Sequence, residues 1–347
     1  MTETDQEESA GLSPVPLMEI STGFWASKTL AAAHELDLFS YLSCEGPAGL
    51  ERLATRFGLH ARPTEILLTA CVSLGLLEKS GEVYANSPLA EKYLVRGKPE
   101  YFGGWIEMAD RREYPAWGRV MDALRNNQPT TWDPAQQQGI FDGEDPVMLS
   151  VFWEAMHSLS TGTAKVLGRT LDLSGVRRLL DVGGGSGAFG IELCGRYPEL
   201  RADVFELPFV CDLAEKKIAQ AGMGSRVGTV PGNFQTDTSL PTEYDAVLLS
   251  LVLHDWDEDD GRALIRKCFS ALPPGGLLII SELLVNDDKT GPADAALMSM
   301  NMLIENWGRN YTAAEYAQWL SEAGFTEVRT VRFTAPGANG AITAHKP

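Results

Sequence analysis

Long hydrophobic runs are missing from this chain. Nowhere in its 347 residues do 18 consecutive apolar residues occur, so no membrane-spanning helix is expected. Basic residues are scarce: 29 Lys and Arg stand against 47 Asp and Glu, a formal charge of −18. Nucleic acid and anionic membrane surfaces need clustered Lys and Arg to meet their phosphates, so neither is an expected partner. The N-terminus, Met1-Thr-Glu-Thr-Asp-Gln-Glu-Glu, lacks the basic and apolar regions of a signal peptide. It reads as a disordered acidic tail over residues 1–16, and the location as cytoplasmic. Cysteines number five, at 44, 71, 194, 211 and 268, with no CxxC or Cys/His spacing. They read as buried thiols in a reducing compartment, and no metal is expected. What remains is a 44% apolar composition long enough for two domains.

The most informative stretch is residues 177–190, Arg-Arg-Leu-Leu-Asp-Val-Gly-Gly-Gly-Ser-Gly-Ala-Phe-Gly. An apolar strand runs into a glycine turn and then a helical pattern, the opening of a nucleotide-type βαβ unit. Glycines let such a turn bend sharply and admit a ligand close to the backbone. Glu206 ends the next strand, where a carboxylate would take two ribose hydroxyls. The spacing Gly183-x-Gly185-x-x-Ala188 also satisfies a dinucleotide fingerprint, so an NAD site competes at this point. Asp181-Val-Gly-Gly-Gly-Ser-Gly is, however, similar to the first motif of class I S-adenosylmethionine (SAM) methyltransferases.

Before this stretch the pattern is helical. Phe24, Trp25, Leu30, Ala33, Leu36 and Leu38 recur at helical spacing, followed by a short helix from Leu50 and another over 64–77. Lys79–Glu82 reads as a turn and Val83-Tyr84 as a strand. Helix, helix-turn-helix and wing together describe a winged helix. A DNA reader would carry Lys or Arg on the second helix, and 64–77 has none, so dimerisation is the preferred role. Residues 100–165 are more helical pattern, broken at 126–129 and 142–146. The aromatic-rich run Val151–His157 is a core stripe that could roof a pocket. From Val176 strands are expected at 178–182, 202–206, 226–230, 244–250, 277–283, 327–333 and 340–345. Helices are expected at 188–196, 209–221, 261–271, 293–304 and 313–323, the last opened by a Thr312/Glu315 capping box. No helix separates the last two strands. That antiparallel ending resembles class I methyltransferases and counts against NAD.

The second informative stretch is the apolar run ending in His254-Asp255-Trp256-Asp257. Ligands of open α/β sheets bind at the carboxyl ends of strands. A phenol has a pKa of about 10. A neutral His254 there could take its proton while the oxygen attacks a methyl group, and a positioned base contributes roughly 10²–10⁴-fold. Glu282, at the end of the next strand, is the candidate that fixes the His254 tautomer. Asp257–Asp260 read as helix-starting acids at a positive dipole end, rather than as metal ligands. His157 is a fallback base.

Taken together the chain resembles the O-methyltransferases of the caffeate/hydroxyindole type, including bacterial natural-product enzymes. The resemblance implies an α/β C-terminal Rossmann-like SAM domain with a mixed seven-stranded sheet. It also implies an N-terminal, all-α winged-helix domain that forms a homodimer. The boundaries read 17–105 for dimerisation, 106–170 for a helical linker and pocket roof, and 171–347 for the SAM domain. By resemblance, Asp181, Gly183, Gly185, Glu206, Leu207, Gly232, Asn233, Phe234 and Ser250 hold SAM, and S-adenosylhomocysteine is the product. His254, Glu282 and Asn310 take the catalytic positions. Phe152, Met156, Asn301, Met302 and Leu303 line the pocket. Asn233 replaces the usual Asp. Trp307-Gly-Arg-Asn-Tyr-Thr312 replaces the usual Gly-Gly-Lys/Arg-Glu-Arg-Thr, putting Asn310 where the family has a second supporting glutamate. The change suggests Trp307, Arg309 and Tyr311 near the acceptor, with Arg309 or Asn310 meeting a carboxylate of a tyrosine-like substrate. The expected function is methylation of a phenolic hydroxyl on a small aromatic metabolite. Rivals are C- or N-methylation, a SAM-binding member that transfers nothing, and a SAM-sensing regulator.

Overall fold

The computed structural model describes residues 13–137 and 146–347. Most of the acidic tail and the break at 142–145 lie outside the described residues. The chain divides into two compact units, Met1–Asp110 and Arg111–Pro347.

In the first unit, α1 (Val15–Glu35) and α2 (Leu38–Glu45) are separated by Asp37, whose φ of 55° ends the helical run. Two short helices follow, α3 (Leu50–Phe57) and α4 (Ala61–Ser73), then the hairpin β2 (Leu77–Ser80) and β3 (Val83–Asn86). With β1 (Ala48–Gly49) they form a three-stranded sheet in the order β1-β3-β2. Lys79 and Ser80 belong to β2 and pair with Tyr84 and Val83. The expected four-residue turn is therefore only Gly81-Glu82. Leu38, Phe39, Leu53, Leu68, Cys71 and Tyr84 form the core of this unit. Short helices α5 (Pro88–Tyr93) and α6 (Gly103–Met108) follow. Phe24 and Trp25 of α1 are exposed, as is Cys44, contrary to its reading as buried; the other four cysteines are buried.

A π-helical turn, Ala109–Glu113, leads into α7 (Tyr114–Trp117) and α8 (Val120–Asn126). The long α9 (Pro146–Thr170) precedes the α/β core. The core strands are β4 (Arg178–Val182), β5 (Arg201–Glu206), β6 (Val227–Pro231), β7 (Ala246–Ser250), β8 (Leu277–Glu282), β9 (Thr326–Arg332) and β10 (Gly340–His345). They lie in the order β6-β5-β4-β7-β8-β10-β9, with β10 antiparallel to both neighbours. This is the mixed seven-stranded sheet expected from the sequence.

The connecting helices are α10 (Ala188–Arg196), α11 (Pro208–Gln220), α12 (Glu258–Ala271), α13 (Ala293–Glu305) and α14 (Ala313–Ala323). β7 and β4 are buried along nearly their whole length, which is why they read as unbroken apolar runs. Asp257 caps α12 by accepting from Asp260 N, and three acids occupy its first turn. The helix therefore begins at 258, before the expected 261. Thr312 and Glu315 form the expected capping box on α14. β4 and β7 are adjacent, and chain order reverses between them, so the crevice beyond their carboxyl ends is the place for a ligand.

Candidate active site

The glycine loop leaves β4 with Gly183, Gly185 and Gly187 all at positive φ (68°, 54° and 78°). At Gly183 a Cβ would lie 2.8 Å from Val252 and 3.5 Å from Phe234, so the glycine keeps open a cradle between two chain segments. Gly183 N–H donates to Phe205 O, tying the loop to β5. Glu206 closes β5; one of its oxygens accepts from Leu207 N at 2.5 Å, and Gly185 N–H also bonds it. Asp181 is buried with Oδ2 unpartnered. Burial pushes both carboxyls up to about 7, and Glu206 adds to the effect on Asp181. A glycine cradle with an acid at the next strand end suits a nucleoside carrying two ribose hydroxyls. From α9, His157 Nδ1 lies 2.8 Å from Ser186 Oγ in the same loop, and Glu154 pairs with Lys217 of α11 at 2.6 Å. Burial lowers His157 to about 4, so it is neutral at pH 7.

Phe234 packs edge-to-face on Trp256 at 5.8 Å. Asn233 Oδ1 accepts from Gln235 N, and Asn233 N donates to Asp237. The amide oxygen of Asn233, a residue assigned to SAM by resemblance, is thus already engaged in the local turn. Gly232 packs against the Phe205 ring.

β7 ends at Ser250, whose hydroxyl lies 3.4 Å from Ser281 O. Leu251 follows with φ of 56°, a strained geometry for a bulky residue. It turns the chain into a 3₁₀ turn, Leu253–Asp255, which delivers His254 to the sheet's carboxyl edge. Glu282 Oε1 accepts from Val252 N and Leu253 N, both at 3.1 Å. Its Oε2 is 2.7 Å from His254 Nδ1, an approach out of line with the ring N–H. Asp255 Oδ1 is 3.5 Å from His254 Nε2 and accepts from Asn306 Nδ2 at 3.0 Å. Burial alone would depress His254, but the carboxylates of Glu282 and Asp255 outweigh it and raise the imidazole to about 9. The arrangement is a buried imidazole between two acids, one of them fixed by two backbone N–H groups. Among the described residues no cluster of His, Cys, Asp and Glu could hold a metal.

Segment 306–311 departs from the sequence expectation. Asn310 is 3% exposed; its Nδ2 donates to Leu283 O and its backbone N to Ser299 Oγ. These bonds reach α13 and the residue that follows β8 rather than His254, and Oδ1 is left unpartnered. Tyr311 is a core residue, packed against Tyr316 and Trp319 with its hydroxyl on Trp256 O. A phenol ring among apolar neighbours finds one backbone acceptor and turns inward, which the sequence does not signal. Arg309 is half-exposed, 3.4 Å from Glu315 and stacked over Tyr311. Its charge is answered by its own chain, so the support for a carboxylate-bearing, tyrosine-like acceptor falls away. Trp307 is exposed and meets Trp132 edge-to-face.

Of the remaining expected pocket residues, Asn301, Met302 and Leu303 lie on α13. Asn301 accepts from Trp117 Nε1 at 2.8 Å and donates to Glu113 at 2.9 Å. Arg112 forms a buried pair with Glu305 at 3.1 Å, and its guanidinium lies 5.7 Å from the Phe152 ring. Met302 Sδ is 3.6 Å from Asn306 Nδ2, and Leu303 packs with Ala116 and Ala123. Met156 lies on α9 and is partly buried. Sequence reasoning missed Arg112, Glu113, Ser186 and Asn306. Asp255 carried a local signal, standing next to His254; the others are joined to their partners across the sequence and carried none.

Fold and crevice together define a SAM-dependent methyltransferase. The chain belongs to the O-methyltransferase family: a family model described as the O-methyltransferase domain matches residues 117–326, and the O-methyltransferase dimerisation domain matches 18–96. A 3-hydroxy-5-methyl-1-naphthoate 3-O-methyltransferase of Streptomyces sahachiroi is 51% identical over 96% of this chain and 95% of its own. A tetracenomycin polyketide synthesis 8-O-methyl transferase of Streptomyces glaucescens is 36% identical, covering 93% and 94%. An N,N-dimethyltransferase of Streptomyces rimosus is 32% identical, covering 95% and 96%. The crystal structure of human N-acetylserotonin methyltransferase in complex with SAM superposes with a TM-score of 0.84 at 29% identity, covering 95% of this chain and 96% of that one.

Proposed function

We propose that this enzyme methylates a phenolic hydroxyl of a small fused-ring aromatic of natural-product biosynthesis, with His254 as the base. The observation that carries the reading is His254 at the carboxyl end of β7, with Nδ1 2.7 Å from Glu282. The names of the naphthoate and tetracenomycin relatives support the acceptor class. SAM supplies an activated methyl group on a sulfonium. Gly183, Gly185, Glu206 and Leu207 would hold its nucleoside and amino-acid parts, with Asp181 behind the loop. Gly232, Asn233 and Phe234 would flank its adenine, and Ser250 would border its sulfonium end. His254 Nε2 takes the hydroxyl proton, and Glu282 holds the ring and stabilises the imidazolium formed. Asp255 faces the same nitrogen and stands ready to accept a hydrogen bond from the acceptor or the ring. Asn310 supports Glu282 at one remove by fixing Leu283.

The test is incubation with methyl-labelled SAM and hydroxylated naphthalenes, with product mass and NMR as readout. An O-methyl product that falls by at least about 10²-fold in His254→Ala, with S-adenosylhomocysteine binding kept, is expected. Near-normal turnover in that variant would remove His254 as base. A second reading, transfer to nitrogen, is favoured by the N,N-dimethyltransferase relative; an N-methyl product from the matching aryl amine, with none from the phenol, would establish it.

A further inference from the structure

Glu113 is a buried glutamate that the reaction leaves without a role. It ends the π-helical turn Ala109–Glu113, a backbone form that recurs at functional sites. It is 9% exposed. Asn301 Nδ2 donates to its Oε1, and Oε2 takes no hydrogen bond from the described residues. Unlike the sealed Oδ2 of Asp181, this oxygen keeps some exposed surface. Around it stand Trp117 on the far side of Asn301, and the Arg112–Glu305 pair beneath the Phe152 ring. Asn301 and Phe152 are two of the residues read above as acceptor-pocket wall.

Charge decides which way this carboxyl bonds. Arg112 is already matched by Glu305, which meets it through both oxygens. A second buried anion beside Glu305 would be uncompensated, and an unpaired buried charge is costly. Burial first, and then Glu305, push Glu113 up to about 7, while Asn301 and Arg112 pull the other way. The carboxyl therefore holds its proton readily and can donate from Oε2.

Building on the proposed phenol methylation, we infer that Glu113 is a specificity-determining residue of the acceptor site. It donates a hydrogen bond to a carbonyl or carboxyl oxygen carried on the aromatic acceptor away from the methylated hydroxyl.

Two probes separate this from general acceptor binding: 3-hydroxy-1-naphthoate, whose carboxyl is not adjacent to the hydroxyl, and 2-naphthol, which lacks that carboxyl. Each is titrated calorimetrically into protein saturated with S-adenosylhomocysteine. The wild type should bind the naphthoate about tenfold more tightly, the worth of one buried hydrogen bond to a charged group. Glu113→Leu should abolish that preference and leave 2-naphthol within about threefold of wild type. Glu113→Gln, which keeps an N–H donor, should retain most of it. Thermal unfolding and S-adenosylhomocysteine affinity report the fold, and Glu113→Met replaces the leucine variant where that one unfolds. A preference that is absent in wild type, or survives Glu113→Leu, overturns the inference, as does equal loss of both ligands. Methyl transfer is followed separately. Naphthoate preference without transfer to any phenol would sink the phenol reading and leave Glu113 recognition standing.

Discussion

At the scale of single residues, His254 carries the chemistry, and its surroundings set the pH at which it works. Its pKa is raised to about 9 by Glu282 and Asp255 against the effect of burial. A base must be neutral, so kcat/KM should climb with pH toward about 9 rather than level off near 6.5. Glu282→Gln removes the first of the two raising charges, and the rising limb should move to lower pH while the plateau falls. A limb that stays in place in Glu282→Gln would mean another group titrates. The same shift carries a stability consequence. A folded pKa above the unfolded 6.5 stabilises fully below pH 6.5, and that contribution is lost as pH rises through about 9. Tyr311 makes a contrasting residue-scale case. Its hydroxyl bonds Trp256 O inside the core, so Tyr311→Phe should cost about 1 kcal/mol in denaturant unfolding and leave acceptor KM unchanged. An altered KM with unchanged stability would return Tyr311 to the pocket.

At the scale of elements, the segment after α13 acts as a clamp on the His254 turn. At Gly308 a Cβ would lie 1.9 Å from His254 O and 2.4 Å from the Asp255 carbonyl carbon, so backbone meets backbone there. Gly308→Ala must push the two segments apart. It should destabilise by at least about 1–3 kcal/mol, the usual cost of overpacking, and lower kcat more than acceptor affinity. A variant of normal stability and turnover would show that the contact is slack. On the other side of the crevice α9 presses on the glycine loop through His157 and Ser186. His157→Ala should weaken S-adenosylhomocysteine binding several-fold while saturated turnover stays near normal. A large loss of kcat with cofactor affinity intact would instead make His157 the base. The elements themselves were legible: β4, α10, α14 and β10 run as the apolar patterning indicates, because buried parallel strands are continuous in apolar residues and glycine punctuates them. The clamp was not legible. Gly308 stands in sequence as one more loop glycine, and its partner lies some fifty residues earlier.

At the scale of the whole molecule, patterning marked the strands, and the glycine-loop and His254 motifs carried the family resemblance that supplied the sheet, the cofactor class and the His254–Glu282 pair. They could not give what side chains do across long separations. Arg309 turned to Glu315, and Asn301 joined Trp117 and Glu113, by packing choices invisible to spacing. The net charge of −18 also argues at this scale: α4 carries Arg62 as its only basic residue, so a phosphate backbone has little to meet on it. The assembly prediction rests on α1 instead. Val15, Leu17, Met18, Ile20, Phe24 and Trp25 are all exposed on it, Trp25 by 62%. Water-exposed apolar side chains in this number on one helix are unfavourable unless another surface covers them, and contiguous apolar patches mark protein interfaces. The helix opens the matched dimerisation domain, which makes a second copy the expected cover. Sedimentation should give about twice the 37.8 kDa chain mass. Placing charges on this helix with Ile20→Glu and Trp25→Glu should shift the protein to the single-chain mass, because a carboxylate buried in an apolar interface loses its hydration without gaining a partner. Retention of the doubled mass by that variant would exclude this helix as the contact surface.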